Sequence, residues 1–314
     1  MPAPPKQKAP APNRKAEARA SVVPPTQSHY SSIEQALGDA LAAYGITRLA
    51  IRADGALHRF DSADKPKGNR NGWYVCPSLE VGVYGFWHTG EQHTIGIGGE
   101  VDPTAAAEAR LAYQRAREQR DEERARGYAL VADQTRREWP LLVPASPTHA
   151  YLATKGVKPH NLRQLRGLLV VPLTDGHRLV NWQTIAPDGA KYFKIGGKVK
   201  GCYSPIGNIV QHQPLLIAEG WATAATLHEA TGYAVAAAMN AGNLLPVAKS
   251  LRERYPTHPI IVCADNDHGT AGNPGVTKGK EAAAAIGARC AWPEAHEGVT
   301  DFNDLARLGR GLAL

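Results

Sequence analysis

The sequence predicts an α/β fold with a mostly parallel sheet flanked by helices, and two observations carry that prediction. Short apolar runs, Leu215-Leu216-Ile217-Ala218 and Ile260-Ile261-Val262-Cys263-Ala264, are each bounded by polar or turn residues and read as buried strands. Ala-rich segments of helical character follow each run, so strand and helix alternate, as a parallel sheet requires. The first run ends in Glu219-Gly220 and the second in Asp265-Asn266-Asp267. In such sheets ligands gather outside the carboxyl ends of the strands, where all three acids fall.

Upstream of this region the chain divides by composition. Residues 1–28 hold seven prolines and almost no large apolar groups, a composition expected to stay disordered. Residues 29–101 read as a small α+β module. Ile33, Ala36, Leu37 and Leu41 have helical spacing, and Asp54-Gly55 and Asn71-Gly72 are hairpin signals. Its aromatics, Trp73, Tyr74, Tyr84, Phe86 and Trp87, are expected in the sheet core. A surface that stacks bases beside Lys65, Lys67 and Arg70 is the alternative. Residues 102–139 are strong helix formers with mixed charge, a helical linker ending near Trp139-Pro140.

Residues 140–210 form a basic antiparallel subdomain, with strand-like runs separated by turns at Asp175-Gly176 and Asp188-Gly189. Between Tyr151 and Val210 nine Lys or Arg face only Asp175 and Asp188, an excess equal to the chain's whole formal net charge of +7. Such an imbalance beside an acidic cluster suggests a polyanionic partner. Residues 211–314 complete the division with the parallel sheet.

The chemistry of the acids can be argued directly. Asp265 and Asp267, at i and i+2 of an extended segment, present their oxygens to one side. Their repulsion is relieved by a hard divalent cation, Mg²⁺ or Mn²⁺. Glu219, from the neighbouring strand, could be a further ligand or could take a proton from an attacking hydroxyl. Other chemistries are excluded. Cys76, Cys202, Cys263 and Cys290 form no Cys-x-x-Cys pair, and the glycine-rich 269–280 stretch has no Gly-Lys followed by Ser or Thr. No apolar run approaches a membrane span, so a cytoplasmic protein is expected.

These motifs resemble the TOPRIM domain of bacterial primases, topoisomerases and some nucleases. Leu216-Ile217-Ala218-Glu219-Gly220 is similar to its glutamate motif and Ala264-Asp265-Asn266-Asp267 to its paired-aspartate motif. Asp301-Phe302-Asn303-Asp304-Leu305 looks like the terminal element of primases from phages, plasmids and integrating elements. The stretch from Val171-Pro172-Leu173 to Gly201-Cys202-Tyr203 resembles the basic subdomain that precedes TOPRIM in primases. The resemblance implies a DNA primase making short RNA primers on single-stranded DNA from ribonucleoside triphosphates, with a replicative helicase as a further partner. Glu219, Asp265 and Asp267 would hold the metal and carry catalysis. Lys191, Lys194 and Lys198, with Asn243 and Lys278, would contact nucleic acid or nucleotide. Asp301 and Asp304 would support the metal, or Asp301 would cap a last helix. A metal-dependent nuclease and a non-catalytic single-strand-binding accessory are the alternatives.

Overall fold

A computed structural model describes residues 30–98 and 103–312, and the tail expected over residues 1–28 lies outside the described residues. Two units form, residues 1–122 and 123–314. In the first, helix α1 (Ile33–Ala42) starts at Ser32, whose Oγ accepts the Gln35 N–H at 3.3 Å. Strands β1 (His58–Phe60), β2 (Gly72–Val75), β3 (Val81–Phe86) and β4 (Gln92–Gly96) make an antiparallel sheet in that order. The stripe Ile33, Leu37 and Leu41 packs with Phe60, Tyr74, Tyr84 and Phe86. Trp73, Val75, Val81 and Val83 form a separate cluster.

The two hairpin signals do not make two-residue hairpins. Gly72 opens β2, and β1 joins β2 through the loop 61–71. Asn69 and Asp61 supply the hydrogen bonds that close that loop, so side chains do what a tight backbone turn would do elsewhere. At Asp54-Gly55 the Asp54 carboxylate accepts the Ala56 N–H at 3.0 Å, a local turn ahead of β1.

Helix α2 (Pro103–Glu138) follows, and its last turn carries Arg136 and Arg137, cations favoured at a helix C-terminus. In the second unit, β5 (Val143–Pro144), helix α3 (Ala150–Lys155), β6 (Arg163–Leu165), β7 (Leu168–Thr174), β8 (Leu179–Ile185) and β9 (Lys191–Phe193) come next. The five strands form an antiparallel sheet in chain order. Then come β10 (Ser204–Ile206), β11 (Leu215–Ala218), helix α4 (Trp221–Thr231), β12 (Val235–Ala237), helix α5 (Leu244–Arg254), β13 (Ile260–Cys263), helix α6 (Pro274–Ala285), β14 (Arg289–Ala291) and helix α7 (Phe302–Arg307).

The second sheet runs β10-β12-β11-β13-β14, parallel except for the antiparallel edge strand β10. The fold is therefore α/β, with the antiparallel sheet ahead of it in sequence. Every residue of β11 and β13 is buried, which is why those strands read as unbroken apolar runs. Residues of α4 and α7, including Trp221, Leu227 and Phe302, share one core cluster. Leu244, Val247, Leu251, Ala282 and Ile286 of α5 and the α6 region share another. Phe302 is fully buried, and excluding a side chain of that size from water contributes roughly 1.5–3 kcal/mol. Because β12 and β13 lie on opposite sides of β11, the chain order reverses beside β11 and opens a crevice at its carboxyl end.

Candidate active site

Register brings the acids together. Ala218 pairs with Cys263, so Glu219 leaves β11 level with Ala264 and one residue ahead of Asp265. Beyond β13 the chain is anchored by Asn266, which turns inward. Its N–H donates to the Thr300 carbonyl at 2.6 Å, its Nδ2 to the Pro293 carbonyl at 2.9 Å, and its Oδ1 accepts from Asn273 at 2.7 Å. With Asn266 pinned, Asp265 and Asp267 flank it on the site side. Gly275 sits so close that a Cβ there would meet the Asp265 carbonyl oxygen at 2.3 Å, which only glycine avoids. The Gly275 N–H, in the first turn of α6, donates to Asp267 Oδ2 at 3.0 Å.

Glu219 and Asp265 are left differently. Glu219 Oε2 and Asp265 Oδ1 are buried and have no hydrogen-bond partner within the protein. Burial, followed by the charges of Glu219, Asp301 and Asp267, pushes the Asp265 carboxyl up to about 8. Burial and the Asp267 charge also raise Glu219, against the opposing pull of the Ala241 N–H and Lys191. Two desolvated acids with unused oxygens are the donor set a hard divalent cation takes up. Among the described residues no three His, Cys, Asp or Glu side chains are arranged to enclose a metal by themselves. The electrostatics and that geometry agree for an ion that uses one or two carboxylates and completes its shell with water and phosphate oxygens.

Of the five nucleic-acid candidates, only Lys191 joins the acids. Its pKa is lowered, first by desolvation and then by the like charge of Lys155, while Asp265, Asp301 and Glu219 pull it back up. Its Nζ lies 5.9 Å from the centre of the Tyr151 ring. Lys194 is engaged elsewhere, donating to Glu138 at 2.5 Å and lying 4.3 Å over the Trp182 ring. Lys198 is exposed at the surface, its charge felt by Asp175 and Cys202. Lys278 pairs with Glu281, three residues along the exposed side of α6.

Asn243 is a correction. Its amide is spent inside the protein, Oδ1 accepting from Gly201 at 2.8 Å and Nδ2 donating to the Val199, Cys202 and Ala238 carbonyls. It fastens the loop after β9 to the α/β sheet, and its buried amide hydrogens are engaged there. Asp301 both caps α7, accepting the Asp304 N–H at 2.8 Å, and adds its charge to the site. Asp304 accepts from the Thr300 N–H and hydroxyl and lies 3.9 Å from Lys155. Sequence reading missed Lys155 and Tyr151. Tyr151 is buried, its hydroxyl has no partner, and burial with the Asp301 charge raises it to about 12. Nothing in the α3 sequence signals this, because both residues reach the site only through the packing of α3.

Residues 214–310 match the family described as Toprim domain. The chain carries a Toprim domain. Glu219, Asp265, Asp267, Asp301 and Asp304 all lie inside it, and Toprim domains generally bind divalent metal ions. Two Escherichia coli proteins, both DNA primase TraC, are similar to a stretch longer than the Toprim domain alone. One is 32% identical over 254 residues, 76% of this chain and 24% of that protein; the other is 34% identical over 188 residues, 56% and 13%. The chain thus spans a quarter or less of the length of these relatives. A solved assembly of the bacteriophage T7 lagging-strand DNA polymerase with primase domains bound to an RNA/DNA hybrid and dTTP matches 50% of this chain and 84% of that one, at TM-score 0.36 and 17% identity. The domain match and the similarity to the two TraC proteins show the resemblance to TOPRIM-domain DNA primases read from the motifs. No helix of the described residues is long and apolar enough to cross a membrane.

Proposed function

We propose that the protein is a DNA primase, joining ribonucleoside triphosphates into short RNA primers on a single-stranded DNA template by metal-dependent nucleotidyl transfer. The observation that carries the reading is the pair of buried, unpartnered oxygens on Glu219 and Asp265 beside the ammonium of Lys191. Anionic and cationic groups at one strand edge suit a polyphosphate substrate better than either alone. The similarity to the two TraC primases supports the reading because it extends beyond the Toprim domain, the part that TOPRIM nucleases share.

Asp265 and Glu219, with Asp267, would hold the ion, Mg²⁺ or Mn²⁺. When bound, such an ion draws phosphate oxygens together and offsets the charge that develops on them. Asp265 must give up its proton to serve, since burial holds the carboxyl neutral to about pH 8. Glu219, raised by burial and then by the Asp267 charge, would accept a proton from an attacking 3′-hydroxyl more readily than an ordinary carboxylate. Lys191 would neutralise a phosphate oxygen. Lys198 would track the strand at the surface. A replicative helicase would supply the template.

The test is incubation with single-stranded DNA, all four ribonucleotides and Mg²⁺ or Mn²⁺. Labelled oligomers several nucleotides long are expected. Loss of labelled DNA without incorporation would identify a nuclease, and binding with neither reaction an accessory protein.

A further inference from the structure

The loop 61–71 of the first unit is built more firmly than a connection needs. Asp61 spends both oxygens on it, Oδ2 accepting the Gly68 N–H at 2.6 Å and Oδ1 the Arg70 N–H at 2.8 Å. Asn69 Oδ1 accepts from the Ser62 and Asn71 N–H groups, and its Nδ2 donates to the Ser62 and Pro66 carbonyls at 3.0 and 2.9 Å. This scaffold holds Lys65, Lys67 and Arg70 at the surface. Arg70 has φ +46°, a left-handed conformation that glycine or asparagine would adopt at less strain.

Within the loop and its flanks Arg59, Lys65, Lys67 and Arg70 outnumber the acids Asp61 and Asp64. Arg59 donates from Nε to the Arg70 carbonyl at 3.1 Å, and the like charges of Arg70 and Arg120 bear on it. No ion pair among the described residues engages Arg59, Arg70 or Arg120, while Asp64 is occupied by His88 at 2.9 Å. The aromatic beside this patch is fixed as well. The Trp87 N–H donates to the Asn71 carbonyl at 2.9 Å, next to Arg70. Trp87 leans on Trp73 with ring centres 5.6 Å apart and is still 37% exposed, whereas Trp73, Tyr74, Tyr84 and Phe86 are buried.

We infer that Arg59, Lys65, Lys67, Arg70 and Arg120, together with Trp87, form a second contact for single-stranded DNA, phosphates lying along the loop and one unpaired base stacking on the indole. A duplex would keep its bases stacked on one another and leave Trp87 unused. An acidic peptide would satisfy the cations but gain little from a flat aromatic. That the strand is DNA rests on the reading proposed above; the patch itself does not depend on the carboxylate site.

The full chain would be irradiated with an oligodeoxynucleotide carrying 5-iododeoxyuridine, and the attachment sites mapped by mass spectrometry. A cross-link at Trp87 is expected in addition to any within residues 151–310. In parallel, binding would be followed against salt for wild type, Arg70→Gly and Trp87→Leu. Arg70→Gly keeps the positive φ and so the loop, and should lower the slope of log affinity on log salt by about 0.7. Trp87→Leu should weaken binding about 5-fold to 100-fold with an unchanged slope. Cross-links confined to residues 151–310, with Arg70→Gly matching wild type, would overturn the inference and leave the primase reading standing. A cross-link at Trp87 with no nucleotide incorporation would support the contact and count against that reading. Equal loss with blunt duplex DNA would also overturn it, since stacking on an unpaired base would then contribute nothing.

Discussion

Asp61 and Asp265 are the same residue used in opposite ways. Both oxygens of Asp61 accept backbone N–H groups, and those bonds hold its carboxyl below the ordinary aspartate range. Asp265 has a buried oxygen with no partner and three acids around it, and its carboxyl is driven up to about 8. One acid completes its surroundings and the other is left wanting a cation. The comparison teaches that hydrogen-bond satisfaction, more than position at a strand end, separates an acid that holds a loop from one that is available to a ligand.

The sharpest way to break the contrast is to remove the unpartnered acid. Asp265→Ala should abolish metal-dependent incorporation, while thermal melting shows a folded protein, since no hydrogen bond of the fold uses that buried oxygen. Wild-type incorporation in this variant would sink the metal assignment. Asp267→Ala should also be inactive but cost some stability, because Asp267 holds the Gly275 N–H at the start of α6.

Glu219→Gln comes next in size. If Glu219 takes the proton, the rate of primer synthesis should fall by about 10²–10⁴ with nucleotide binding retained. If it chiefly binds the ion, raising the Mg²⁺ concentration should restore much of the rate. Full activity at ordinary metal concentration would exclude both roles.

Lys191 and Lys194 extend the comparison to cations. Lys191→Ala should weaken single-strand or nucleotide binding and lower the salt slope by about 0.7, whereas Lys194→Ala, removing a side chain already paired with Glu138, should leave the slope unchanged. Equal effects of the two substitutions would mean that Lys194 leaves Glu138 when substrate arrives.

The smallest effect is on stability against pH. Asp265 has a raised pKa, so its favourable contribution is present below the unfolded value of about 3.9 and is lost as pH rises through the folded value of about 8. In the presence of a chelator, Asp265→Asn should therefore melt higher than wild type at pH 8.5, with the difference fading towards pH 4. Asp61 has a lowered pKa, so its contribution is present above about 3.9 and is lost as pH falls through the folded value. Asp61→Asn should accordingly melt lower than wild type at pH 7. Parallel melting curves for both variants across this range would show that neither acid senses its surroundings as described.

The sequence by itself determined the buried strands, because β11 and β13 are covered on both faces and must be apolar throughout, and it determined that acids follow them. It determined the α1 and α2 helices for the same kind of reason, since spacing and propensity are local. Tertiary structure alone decided which polar groups are satisfied. The pairing of Ala218 with Cys263 aligns Glu219 with the aspartates, and β9 brings Lys191 to the acids while Lys194 meets Glu138, 56 residues away. Asn243, an apparent ligand in sequence, is consumed by carbonyls about 40 residues upstream. Tyr151, silent in sequence, becomes a buried donor beside Asp301. Whether an oxygen finds a hydrogen depends on what distant segments deliver to it, and no local pattern of residues contains that information.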